Sequence, residues 1–540
     1  MHRWPGVRLQ PRLPHVGSLC LLFVVATLWT LSAGDTVTIE SGLVAGSGAE
    51  IRAFKGIPFA APPTGELRWK PPQPPQRWQG VRQATEFGAA CMQTPDRRGL
   101  DEDCLTLNVW TPARETKARL PVMVWIHGGG FVFGSGEIRG EALAQRGAVV
   151  VSFNYRLGVL GFLAHPALAR ESPHRSSGNY GLLDQIAALR WVQRNIAAFG
   201  GDPRNVTIFG ESAGGSSVCL LLVSPLARGL FHRAIAQSPG GIATPIPHTV
   251  EAWYGRPPLE REGAELGANI GKLRGASPAE LMGKWSSVEK TRAVDGWVIP
   301  DDPAALLESG RFHRVPVMIG ANADEGITFV ADGRLWPENP MFPELNRART
   351  SLAAYREYLK VTFRDSADEA FALYPAASDG DVRAALARVF GDYFFHLGTR
   401  VTAQAVARSG PRAYLYYFTR ISPFALRLGA GVMHEAEVPY VMGYLSGESP
   451  KLPPGVPPFE EMDRTLSKAM AATWVRFARA GDPNGEGLPA WPQVSRKANE
   501  YLEFGDVTRV GRVDGERLRR LDFVAGYFSR LRRARSTPGQ

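Results

Sequence analysis

Gly210-Glu211-Ser212-Ala213-Gly214 sets a serine between glycines, and a hydroxyl presented in this way is a candidate nucleophile for acyl transfer. Residues 205–209 before it are β-branched and apolar, as a buried strand requires. Residues 213–222 after it are small and apolar enough to open a buried helix. Strand, sharp turn and helix form the setting in which a G-x-S-x-G serine projects from the top of a sheet. With 58 glycines in 540 residues the pentapeptide can arise by chance, so its weight depends on partner groups elsewhere in the chain.

Acyl transfer passes through a tetrahedral oxyanion that needs preorganised N–H donors. His127-Gly128-Gly129-Gly130 follows the apolar run 120–126 directly. Consecutive glycines there let the amides of Gly129 and Gly130 approach a substrate with no Cβ in the way, and the amide of Ala213 is a third donor. His127 belongs to the loop and is expected to be structural. In the order serine, acid, histidine, the available bases are His232, His248, His313, His396 and His434. His232 and His396 have helix-like apolar surroundings that suit packing or capping. His434 lies in the small-residue loop 429–437, after the strand-like run 414–418. Open α/β sheets place their sites on such loops, at the C-terminal ends of strands. The orienting acid is expected in Asp324-Glu325-Gly326, just past the apolar run 315–319, and spacing alone leaves Asp324 and Glu325 both open.

The elements that must hold these groups alternate between strand and helix. Runs 120–126 and 147–153 are apolar throughout, as buried parallel strands are. Residues 181–199 have helical spacing and stop at Gly200-Gly201-Asp202-Pro203, and 462–479 form a late helix. Residues 35–90 suit short strands and turns, while 240–300 and 330–410 suit Pro-interrupted helices. The pattern predicts one α/β domain over 35–540, with a mostly parallel sheet flanked by helices.

Arg3, Arg8 and Arg12 precede an apolar core at 17–31 and the small residues Ser32-Ala33-Gly34, so residues 1–33 are expected to be a signal peptide. That core falls short of the ~20 residues needed to span a bilayer, and membrane attachment is not expected after cleavage. The formal charge of +10 is concentrated at the two ends, where the tail from Arg512 to Arg535 alone carries eight arginines against three acids. A nearly neutral body without a basic-aromatic stripe argues against nucleic acid as a partner. If the substrate were a polycarboxylate ester, a few local arginines or lysines would have to line the pocket. Cys91 and Cys104 are expected to pair in an oxidising compartment, and Cys219 to be buried and inert. No CxxC or His-rich cluster suggests a metal.

Residues 36 to about 530 resemble the type B carboxylesterase and cholinesterase family of α/β-hydrolases. The resemblance is carried by Phe54-Lys-Gly-Ile-Pro-Phe-Ala60, Asp101-Glu-Asp-Cys-Leu105, Trp125-Ile-His-Gly-Gly-Gly-Phe131 and Asn154-Tyr-Arg-Leu-Gly158. It continues through Gly178-Asn-Tyr-Gly-Leu-Leu-Asp184, Gly200-Gly-Asp-Pro203, Gly210-Glu-Ser-Ala-Gly-Gly215, Asp324-Glu-Gly326 and Gly481-Asp-Pro-Asn484. It implies an α/β-hydrolase fold with helical insertions around an active-site gorge, and hydrolysis of small-molecule esters by a Ser-His-Glu triad without a cofactor. The implied residues are Ser212 as nucleophile, Glu325 as acid and His434 as base, with Gly129, Gly130 and Ala213 as oxyanion donors. It also pairs Cys91 with Cys104. The next disulfide of animal relatives has no cysteines here, which favours a microbial esterase over a cholinesterase. Pro239 stands where the family often has glycine, which suggests a reshaped pocket. The same fold supports non-catalytic adhesion proteins, but these usually lack the nucleophile.

Overall fold

The structure, a computed structural model, describes residues 36–94, 99–284, 290–330, 341–445, 458–495 and 499–535. The expected signal peptide at residues 1–33 lies outside them. A ten-stranded sheet forms the centre. Its middle strands run parallel in the order Val149–Phe153, Leu120–Ile126, Gly201–Glu211, Arg233–Gln237, Val317–Asn322, Ala413–Phe418 and Glu500–Phe504. Arg509–Arg512 closes one edge antiparallel, and Thr106–Thr111 followed by Arg52–Pro58 closes the other. The sheet is thus parallel where both faces are covered and antiparallel at its margins, which is where hairpin-type pairing is tolerated.

Val122, Val124, Val149 and Val151 are fully buried between layers, so β-branched side chains fill a pleated surface with no water on either face. One face is packed by Tyr180–Asn195 and by Ala213–Val223, every residue of which is buried. The other is covered by Glu461–Ala480. That helix turns Leu466, Met470, Trp474 and Phe477 inward at helical spacing, starts in a capping box of Glu460 and Asp463, and stops at Gly481 in the left-handed conformation.

A third apolar cluster lies under the insertion, where Tyr355, Leu386, Phe390 and Phe395 pack against Val524 and Phe528 of the C-terminal helix Gly515–Arg535. Between 341 and 408 the helices are substantial, among them Leu352–Phe363, Asp379–Gly391 and Leu397–Arg408. The stretch 240–300 departs from the helical expectation. Among its described residues the α-helices are three six-residue ones, Leu259–Ala264, Ile270–Gly275 and Pro278–Gly283, because Pro245, Pro247, Pro257 and Pro258 keep the chain before them extended. Cys91 and Cys104 are bonded, and Cys219 is buried with its thiol pushed up to about 12 by burial. Among the described residues no helix is long and apolar enough to cross a membrane.

Candidate active site

Ser212 sits between the strand Gly201–Glu211 and the helix Ala213–Val223, with φ 57° and ψ −121°. A non-glycine residue pays for such a conformation with strain, and the surroundings enforce it. Ser212 N–H donates to the Gln237 carbonyl at 3.0 Å. The flanking glycines are required for space: a Cβ at Gly214 would meet the Ile126 carbonyl oxygen at 1.9 Å, and one at Gly210 would meet it at 2.5 Å.

The glycine loop 127–130 leaves the C-terminal end of the neighbouring strand Leu120–Ile126. A Cβ on Gly128 would lie 3.1 Å from Ser212 Cβ, so the loop and the serine are in close register. Gly129 has φ 96°, and its carbonyl accepts from the amides of Val132 and Phe133 at 3.0 and 3.1 Å, which closes a tight turn. His127 stacks on Tyr155 with ring centroids 4.2 Å apart, and the Tyr155 hydroxyl donates to the His127 carbonyl. Its ring therefore anchors the loop from behind.

His434 is 9 % exposed and holds Nδ1 2.5 Å from Glu325 Oε2. Glu325 follows the strand Val317–Asn322, and its other oxygen accepts from the Asn322 amide at 2.7 Å and the Ser238 hydroxyl at 2.6 Å. The neighbouring acid does something else. Asp324 accepts from the Val432 amide at 2.8 Å, while its own amide donates to the Val432 carbonyl, so it pins the histidine loop without touching the imidazole. Burial alone would lower the His434 pKa, but the charge and hydrogen bond of Glu325, with Glu435 and Glu437 nearby, outweigh it and hold the pKa above its ordinary value. His434 Nε2 lies 3.2 Å from Glu211 Oε1 and has no hydrogen-bond partner among the described residues. The other histidines are elsewhere: His232 accepts from the Val206 amide, His248 from the amides of Val250 and Glu251, and His313 contacts the Ser224 carbonyl. His396 is buried beside Tyr417.

Ser212, Ala213, Gly129, Gly130 and His434 open onto one cavity of about 140 Å³. Glu325 stays behind the imidazole, buried. The rest of the wall is mainly aromatic, with Phe133, Phe329, Phe342, Phe394 and Phe395. Phe395 and Phe329 lie 4.5 and 5.2 Å from the His434 ring and confine it. Phe394 and Phe395 come from a π-helical turn, Asp392–His396, whose Asp392 is held by Arg520 at 2.8 Å. Such turns interrupt a helix to re-aim side chains and recur at functional sites. These phenylalanines and Arg292, which also lines the cavity, escaped the sequence reading. The run Tyr393-Phe394-Phe395 is a weak aromatic signal; nothing local marks Arg292. Among the described residues no group of three or more His, Cys, Asp or Glu could hold a metal ion.

A strained serine turn between strand and helix on a mostly parallel sheet, a glycine loop beside it and an acid-bound histidine define an α/β-hydrolase fold. The model of the carboxylesterase family matches residues 33–520, and the chain belongs to that family. It is 42% identical over 503 residues to fumonisin B1 esterase of Sphingopyxis macrogoltabida, covering 88% of this chain and 87% of that one. It is 35% identical over 545 residues to the cocaine esterase of Homo sapiens, with 94% of each covered. A solved structure of PNB esterase is similar with a TM-score of 0.74 at 29% identity, covering 90% of this chain and all of that one. The protein is a carboxylic-ester hydrolase.

Proposed function

We propose that the protein is an exported serine esterase that hydrolyses fumonisin-type esters of tricarballylic acid through an acyl-enzyme. His434 takes the Ser212 proton as the hydroxyl attacks the ester carbonyl, and the amides of Gly129, Gly130 and Ala213 bind the oxyanion. The alcohol leaves with the proton held on His434, and water then releases the acid by the reverse roles. Glu325 orients the imidazole and stabilises its charged form.

The observation that carries this reading is that His434, bonded to the buried Glu325, opens onto the same cavity as Ser212. The substrate is supported by the 42% identity to fumonisin B1 esterase. The chain is proposed to be exported as a single catalytic domain spanning 35–540, and the disulfide, which suits an oxidising compartment, supports export. Incubation of the purified enzyme with fumonisin B1 should release tricarballylate, detected by mass spectrometry. The aromatic wall favours a second reading, a general carboxylesterase for simple alkyl or aryl esters. Rapid turnover of a small aryl ester with no tricarballylate release would decide for it.

A further inference from the structure

We propose that Arg292 is a specificity-determining residue that binds a free carboxylate of the ester substrate beside Ser212. This rests on the serine-esterase reading above and names what its preferred substrates have in common.

Arg292 is 7 % exposed and lines the cavity into which Ser212 and His434 open. Among the described residues, the charged side chains on that wall besides His434 are Arg292 and Glu435, and Glu435 is exposed while Arg292 is buried. The guanidinium lies over Phe131, 5.4 Å from the ring centroid, and Phe131 directly follows the glycine loop. Its far side rests on Gly241, where a Cβ would come within 2.2 Å of Nη2. Gly240, the preceding residue, accepts from the Ser216 hydroxyl at 2.7 Å, and that hydroxyl also reaches the Ser212 carbonyl at 3.0 Å. A short chain of contacts therefore ties the arginine to the nucleophile turn. Arg292 has φ 38°, a conformation arginine rarely adopts, so the backbone is strained where the charge is presented.

The same residue also borders a second cavity. Arg292, Phe342 and Phe394 also line an adjoining chamber of about 620 Å³. Among the described residues it is lined by Arg256, Arg347 and Arg364 against Glu344 and Glu357, a local positive excess on a nearly neutral body. Such a vestibule draws anionic substrates inward. At its inner end, a partly desolvated guanidinium offers a carboxylate two parallel, charge-assisted hydrogen bonds, and offers a neutral alkyl group nothing comparable.

The test compares kcat/KM for mono-4-nitrophenyl glutarate, which has its free carboxylate on the acyl side, with that for neutral 4-nitrophenyl butyrate. A second comparison uses 4-carboxyphenyl butyrate, with the carboxylate on the alcohol side, against phenyl butyrate. Rates are normalised to Ser212 sites titrated with a phosphonate, so a poorly folded preparation changes the site count and not the ratios. In Arg292→Met one charged-to-neutral ratio should fall by about 10- to 100-fold, and Arg292→Lys should recover part of it. The ratio that falls identifies the side on which the carboxylate binds. If both ratios stay at their wild-type values in Arg292→Met, or charged and neutral esters lose rate by the same factor, the proposal is wrong. Those outcomes leave the esterase reading intact, which fails separately if turnover survives Ser212→Ala.

Discussion

Glu325 and Glu437 are buried carboxylates joined through a single residue. Asn322 donates its backbone amide to Glu325 at 2.7 Å and its side-chain amide to Glu437 at 2.7 Å. Glu437 also accepts from Gln237 at 3.0 Å, and Gln237 in turn accepts from the Trp474 indole. Burial first, and then repulsion by Glu325, push the Glu437 pKa up to about 7. The acid that orients His434 is therefore backed by a second acid whose charge changes near neutrality.

That coupling has a direction in pH. The base form of His434 is neutral, and its pKa is held above the ordinary value, so kcat/KM should rise with pH to a midpoint above about 6.5. Charge on Glu437 contributes to holding that pKa up. Glu437→Gln should therefore move the acid limb to lower pH, measured as a kcat/KM profile on a neutral ester. A shift to higher pH would contradict the network.

The two adjacent acids should separate cleanly. Glu325→Gln removes the charge facing the imidazole and should lower kcat by about 100- to 10,000-fold, the range expected when a triad acid is neutralised. Asp324→Asn keeps a side-chain oxygen for the Val432 amide and should cost much less. Steady-state rates at matched pH decide, and a fully active Glu325→Gln beside an inactive Asp324→Asn would reverse the assignment.

Gly129→Ala should damage the glycine loop proposed to bind the oxyanion. The new methyl would meet the Phe133 carbonyl oxygen at 2.0 Å, and φ 96° is unfavourable to alanine. A fall in kcat of about 100- to 1,000-fold is expected, of the size seen when one oxyanion donor is lost. Retained kcat would place the donors elsewhere.

The disulfide closes a short loop, with Cys91 and Cys104 separated by 13 positions in sequence. The paired variant Cys91→Ser with Cys104→Ser should lose about 3 kcal/mol by the chain-entropy argument, read from denaturant unfolding with fixed slope. An unchanged midpoint would mean the crosslink adds nothing.

Much of this site is legible in the chain because backbone constraints leave local marks. The strained turn at Ser212 demands Gly210 and Gly214, and the tight turn at 127–130 demands its glycines, so both stand out as words. The strand ends that carry Glu325 and the loop of His434 follow apolar runs, although the strand Val317–Asn322 begins later and runs further than the run 315–319 suggests. Choosing Glu325 over Asp324 needs three dimensions, since adjacent side chains point in different directions. The cavity wall is harder still. Phe329, Phe342 and the pair Phe394-Phe395 come from three separate segments, and Arg292 arrives from a loop without periodicity. Long-range packing alone brings them together.

The central claim is that Ser212 is the nucleophile. Ser212→Ala should lower kcat/KM by at least about 1,000-fold on any accepted ester while leaving the unfolding midpoint close to wild type, because the hydroxyl faces the cavity and not the core. Turnover within about tenfold of wild type would contradict the account.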